Sequence, residues 1–233
     1  MSRRPSIAVV DYGMGNRRSV QKALEHVGAD ARITAEHADL RAADAIVVPG
    51  VGAFPQGMRN LMARGLDAQI RAAATDGVPV LGICLGMQLL FTASEEHERT
   101  DGLGLIAGEV TPLRAGSLRI PHIGWNEVSF RRPSPLIAEL PAPGRPFYHV
   151  HSLAARPLDP ADVIATTTYG ETFATIVARA NVYGVQFHPE KSSADGLALL
   201  RGFIGLCRGG SVGSDGPVAS RGHAAGWVGS ASS

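Results

Sequence analysis

The chain has 233 residues, 45% hydrophobic and 18% charged, with a formal net charge of +1, and is long enough to bury a full core as one unit. Near-neutrality leaves no electrostatic footprint for nucleic acid or an anionic membrane, so small polar substrates or a protein partner remain. Two cysteines, Cys84 and Cys207, make no disulfide framework, and a reactive thiol needs a reducing compartment, so a cytoplasmic protein is expected.

Ser6 to Val10 reads as a short strand, followed by a glycine turn through Gly13 and Gly15 and a helical pattern from Arg17 to Val27, closed by Gly28. The apolar run from Ile7 is too short for a signal-peptide core. The turn is not a dinucleotide fingerprint, because Arg18 stands where the third glycine would fall; neither NAD nor FAD is expected. Further strands read at Ala31 to Thr34, Ala45 to Val48 and Val78 to Ile83. Continuous apolar strands alternating with helices predict an α/β fold of three layers, with a mixed, mostly parallel sheet covered by helices on both faces. Ligands in such sheets sit beyond the carboxyl ends of the strands, where Asp11, Pro49 to Gly52 and Cys84 fall.

From Gly104 to about Val185 the pattern changes to short strands with proline-rich links, at Glu109 to Leu113, Trp125 to Phe130, Phe147 to Ser152, Val163 to Thr168 and Thr172 to Ala178. A last helix, Ala194 to Leu206, carries Leu197, Leu200, Phe203 and Ile204 toward the sheet. Residues 1–207 are expected to form one domain. Residues 208–233 are rich in Gly, Ser and Ala, with Trp227 the one large apolar residue, and read as a disordered tail. The longest apolar stretch, Val78 to Phe91, is interrupted by Pro79, Gly82, Gly86 and Gln88 and falls short of a bilayer span.

That stretch contains Gly82-Ile83-Cys84-Leu85-Gly86-Met87-Gln88. A cysteine between two glycines, where a strand turns sharply into a helix, is either a buried structural thiol or a nucleophile elbow. In an elbow the following helix would place its positive end and free N–H groups beside the sulfur, favouring thiolate and receiving an oxyanion. Downstream, Val185-Gln186-Phe187-His188-Pro189-Glu190 puts a histidine at a strand end with a carboxylate two residues on. Alone that is a surface turn; with Cys84 it reads as a triad of nucleophile, base and orienting carboxylate. Pro189 keeps His188 extended. His149 and His151 share a strand without a carboxylate or cysteine at ligand spacing, so no metal site is expected.

With Pro49-Gly50-Val51-Gly52 added, these motifs resemble those of the triad-type, class I glutamine amidotransferases, whose sheet is flavodoxin-like. Asp11-Tyr12-Gly13-Met14-Gly15-Asn16, Pro121-His122-Ile123-Gly124-Trp125-Asn126 and Tyr148-His149-Val150-His151-Ser152 resemble the glutaminase subunits of imidazole glycerol phosphate synthase. The resemblance spans roughly residues 6 to 207 and implies no cofactor. It implies Cys84 as nucleophile with His188 and Glu190, and an oxyanion hole from backbone N–H groups near Val51 or Gly52 and at Leu85. Gly50, Gln88, His151 and Ser152 would bind glutamine; Gln88, four residues after Cys84, lies on the same helix face. It further implies a heterodimer with a cyclase subunit, a (β/α)8 barrel, with Tyr12, Asn16, Trp125, Asn126, Tyr148 and Lys191 at or near the docking face. By composition alone Trp125 could equally be core, and Pro-Gly-Val-Gly a plain tight turn.

His149 stands where the family commonly has phenylalanine, Leu153 where tyrosine is frequent and Arg17 where an apolar residue is common. These departures touch the expected interface, where His149 would add pH sensitivity. The expected reaction is hydrolysis of glutamine through a Cys84 thioester, with ammonia passed to the cyclase. Other glutaminases of the class, a catalytically silent docking subunit and a free-standing cysteine hydrolase are the rival readings.

Overall fold

A computed structural model describes residues 3–208. In chain order its elements begin with β1 (Ser6–Val10), α1 (Arg17–His26), β2 (Asp30–Thr34), α2 (His37–Ala42), β3 (Ala45–Gly50), α3 (Phe54–Ala63), α4 (Leu66–Thr75) and β4 (Val80–Cys84). There follow α5 (Leu85–Leu89), β5 (Phe91–Ser94), β6 (Thr100–Asp101), β7 (Ile106–Pro112), β8 (His122–Phe130), β9 (Gly144–His151) and β10 (Leu153–Pro157). The chain continues through β11 (Val163–Tyr169), β12 (Glu171–Arg179) and β13 (Val182–Val185) to α6 (Ser193–Arg208). Apart from Arg208, which ends α6, the stretch read as a disordered tail lies outside the described residues, Trp227 included.

All described strands belong to one mixed sheet, whose spatial order begins β2-β1-β3-β4-β13. These five are mutually parallel, in the strand order of a flavodoxin-like sheet. Side chains alternate across the sheet and sort into two cores. Ile7 and Val9 of β1 pack with Val20 and Leu24 of α1 and Leu200 and Phe203 of α6. Ala8 and Val10, between them in sequence, pack with Met58 and Leu61 of α3 and Leu66 and Ile70 of α4. Each such aliphatic side chain, fully buried, contributes roughly 1.5–3 kcal/mol, so helices are held on both faces.

Beyond β13 the sheet turns antiparallel through β12, β10 and β7. From β12 a branch runs through β11 to a long β8–β9 ribbon, paired from His122↔His151 to Ser129↔Gly144. The ribbon starts at the same end of the sheet as Cys84, because His188, three residues beyond β13, donates its backbone N–H to Tyr148 O of β9 at 2.9 Å.

The helix after Cys84 is much shorter than the apolar stretch suggested. α5 ends at Leu89, and Phe91 starts β5, pairing with Ile106. Five residues carry little macrodipole, so the electrostatic argument made for this turn reduces to its local N–H groups.

Candidate active site

Cys84 is the last residue of β4 and has φ 53° and ψ −110°, a strained conformation for a residue with a Cβ. The flanking glycines make it possible. A Cβ on Gly82 would run into the Gly86 backbone, and one on Gly86 into the carbonyl of Val48. Strand-to-helix chain reversal therefore needs glycine at both positions, as in a nucleophile elbow. β3 runs alongside, with Gly50 paired to Cys84, and the next two residues, Val51 and Gly52 (φ 127°), line the same pocket as Cys84, Leu85 and Gln88.

This pocket holds about 220 Å³, and its far wall is the end of the β8–β9 ribbon: Pro121, Val150, His151, Ser152 and Leu153. Cys84 Sγ is 3.6 Å from Val150 O, the acceptor for its proton. Another groove, about 630 Å³, lies along Phe130 to Ala142 and contains no cysteine or histidine.

His188 is wholly buried, and its Nδ1 is 2.8 Å from Glu190 Oε1. Asn16 Nδ2 donates to the same oxygen at 2.7 Å and lies 3.3 Å from His188 Nδ1. Ser192 Oγ donates to His188 O at 2.7 Å, pinning the turn that carries Glu190. Burial works to lower the imidazolium pKa, but Cys84 and Glu190 together outweigh it and raise His188 to about 9. Its Nε2 and Glu190 Oε2 are buried without a hydrogen-bond partner. Cys84 is thus close enough to act on His188 electrostatically while its thiol is directed at Val150 O.

Gln88, 4% exposed, projects into this region, and its Nε2 donates to Gln186 Oε1 at 3.1 Å. Gln186, fully buried, has its Nε2 3.8 Å from Cys84 Sγ. Sequence reasoning missed Gln186; its signal was a polar side chain within the apolar Tyr183 to Phe187 run. It also missed Glu96, which lines the pocket and accepts the Phe54 N–H at 2.5 Å. No spacing marks Glu96, which sits among Glu95, His97 and Glu98.

The residues expected at the docking face divide. Trp125 is 54% exposed and meets Tyr148 edge-on at 6.2 Å; Lys191 is exposed, and Asn126 and Tyr148 are partly so. Asn16 is half-buried against Glu190. Tyr12 is a correction. It is fully buried, donates to Pro49 O at 2.7 Å, and its phenol pKa is pushed up by burial and by Cys84, so it braces the strand end that leads into Gly50 to Gly52 and offers no surface to a partner. His149 is a second correction: it is fully buried, bonded through Nδ1 to Phe147 O and through Nε2 to Thr175. Burial holds its pKa well below the usual value, so it cannot sense pH at an interface. Leu153 is likewise buried, and Arg17 pairs with Asp11.

His122 and His149 cluster with His151 of the pocket wall. Their ring nitrogens face one another, carbonyls, Asn126 or Thr175, and no group of three His, Cys, Asp or Glu among the described residues is arranged to hold a metal ion.

Residues 8–205 match the glutamine amidotransferase class-I family model. The chain is 50% identical over 202 residues to imidazole glycerol phosphate synthase subunit HisH of Moorella thermoacetica, covering 87% of this chain and 95% of that protein. It is also 50% identical over 209 residues to the HisH subunit of Methylococcus capsulatus, covering 85% and 95%. Among solved structures, PurLQS from Thermotoga maritima superposes with a TM-score of 0.70 at 20% identity, covering 87% of this chain and 99% of that one, which bears on the fold alone. Matched along nearly the whole length of these relatives, the chain belongs to the class-I glutamine amidotransferases and, within them, to the HisH subunits of imidazole glycerol phosphate synthase.

Proposed function

We propose that this chain supplies ammonia for histidine biosynthesis by hydrolysing glutamine at Cys84. The observation that supports this most is the juxtaposition of a strained, glycine-flanked thiol with a buried histidine–carboxylate pair at one pocket. Cys84 gives its thiol proton to His188 and attacks the side-chain amide carbon of glutamine, and backbone N–H groups at Leu85 and at Val51 or Gly52 receive the oxyanion. His188, oriented by Glu190, gives its proton to the departing nitrogen, and the C–N bond breaks to leave a glutamyl thioester and ammonia. His188 then takes a proton from water, whose oxygen attacks the thioester; the C–S bond breaks, His188 returns that proton to the sulfur, and glutamate leaves.

Gln88, Gly50 and the backbone at His151 and Ser152 hold the glutamine. Glu96, whose carboxylate lines the pocket, suits the α-ammonium group. The partner is a cyclase subunit with a (β/α)8 barrel, in a cytoplasmic heterodimer, docking over Asn16, Trp125, Asn126, Tyr148 and Lys191. Residues 1–207 act as one catalytic domain. No helix among the described residues is long and apolar enough to cross a membrane.

A thiol directed at Val150 O favours low activity in the lone chain. Glutamate release from glutamine is expected to be slow alone, to rise on adding the cyclase subunit with its ribotide ligand, and to vanish in Cys84→Ala, which still binds the cyclase. Full activity without the partner would favour a free hydrolase; silence in both states would leave a docking role only.

A further inference from the structure

Three polar side chains behind the pocket form a hydrogen-bond chain with a fixed direction. Asn126 is oriented by its neighbours, since its Oδ1 accepts the Glu127 N–H at 2.8 Å and its Nδ2 donates to Thr168 O at 3.0 Å. The same amide nitrogen reaches His122 Nε2 at 3.2 Å, so that ring atom is the acceptor. At the far end His151 Nδ1 is 2.8 Å from Leu153 O. A carbonyl only accepts, so the His151 proton sits on Nδ1 and its Nε2 carries a lone pair. His122 Nδ1, 3.0 Å away, must then donate to it. Both rings are buried, at 2% and 5% exposure, and His122 is held between the rings of Tyr169 at 4.0 Å and His149 at 4.9 Å.

The chain lies where the pocket wall needs support. His122 and His151 are the last cross-strand pair of the β8–β9 ladder. Pro121, next to His122, lines the pocket, as do Val150, Ser152 and Leu153 around His151. Val150 also supplies the carbonyl that receives the Cys84 proton. The side chains that alternate with this chain on β8, Ile123 and Trp125, face outward at 59% and 54% exposure.

We propose that Asn126, His122 and His151 form a clamp that holds the two sides of the pocket wall in register, with His122 as its positioning residue. The proposal rests on reading this pocket as the glutamine site. Without the His122 donor, His151 Nε2 is a buried acceptor with no partner, and the segment from Val150 to Leu153 loses the side-chain bond that reinforces the end of the ladder beside Pro121. Glutamine binding suffers most, while the thiol and its base keep their backbone positions, because β4 and the segment after β13 carry them.

The test uses the full chain in complex with the cyclase subunit and its ribotide. His122→Phe keeps the ring stacks and removes both nitrogens. The glutamine KM is expected to rise about tenfold, the size of one lost hydrogen bond, with kcat and the rate of Cys84 alkylation by iodoacetamide within about twofold of wild type. His122→Asn, which restores a donor near Nδ1, should recover most of the KM. An unchanged KM in a folded His122→Phe complex overturns the clamp, and so does a parallel loss of KM, kcat and alkylation, which marks collapse of the site. Should His122→Phe not fold, nitrogen-15 shifts of the wild-type rings decide: His151 protonated at Nε2 instead of Nδ1 overturns the proposal. Glutamate release that survives Cys84→Ala would sink the active-site reading instead, and the ring tautomers are measured independently of it.

Discussion

Gln186 joins two roles that would otherwise be separate. Its Oε1 is occupied by the Gln88 amide, which turns its own NH2 group toward Cys84 Sγ. One side chain thereby sets both the orientation of Gln88 in the pocket and a donor at the Cys84 sulfur. Gln186→Leu, similar in volume, leaves the Gln88 amide and the sulfur each without this partner. A buried group left unpaired costs about 1–3 kcal/mol, so kcat/KM for glutamine in the synthase complex is expected to fall between about fivefold and 150-fold. Steady-state kinetics check this, beside a melting curve showing that the variant is folded; an unchanged kcat/KM would leave Gln186 a packing residue. The sequence made Gln88 visible because four residues on a helix put it on the face of Cys84. Gln186 is brought there by β13 lying next to β4, a neighbour relation that no local spacing encodes.

The β8–β9 ribbon carries most of the buried imidazole, and its histidines tie stability to pH. Burial lowers His151 to about 4, against about 6.5 in an unfolded chain. Between those values the unfolded state binds more protons, so this contribution is full above about pH 6.5 and is lost as pH falls toward 4, on the order of 3 kcal/mol. His122 and His149 shift in the same direction, both by burial. His188 has the opposite sign: raised to about 9, it stabilises below about 6.5 and loses that contribution as pH rises through 9. Urea midpoints should therefore peak near neutrality and fall at pH 5. His149→Phe removes one depressed histidine and should flatten the acid limb, although it leaves Thr175 without a partner and lowers the plateau; an acid limb as steep as wild type would place the effect elsewhere. At this scale the parallel strands were legible, because buried on both faces they read as unbroken apolar runs. The short α5 was not, since its end is set by pairing of Phe91 with Ile106 across the sheet.

Across the whole molecule, the pocket opens beside a strip of exposed apolar side chains. Pro121 lines the pocket, Ile120 before it is 48% exposed, and Ile123 and Trp125 extend the strip along β8, with Val51, after β3, 39% exposed in the same pocket lining. Apolar area left open at the rim of a catalytic pocket suits a partner that covers the mouth, and coverage is what the chemistry requires, because ammonia released to water is protonated and ceases to be a nucleophile. Trp125 packs on Tyr148, which the backbone N–H of His188 meets only through its main-chain carbonyl. Trp125→Ala removes the largest side chain of the strip. A buried interface tryptophan typically costs at least about 2 kcal/mol when truncated, so the dissociation constant for the cyclase subunit should rise roughly 30-fold. Titration calorimetry with the cyclase subunit measures this directly, and glutamine hydrolysis by the lone variant provides the control. Because the Cys84 elbow is built by β4, α5 and the Val48 carbonyl, none of which contains Trp125, weakened docking with unaltered lone-chain hydrolysis is the pattern that separates a docking residue from a packing one. Wild-type affinity in Trp125→Ala would move the interface away from β8.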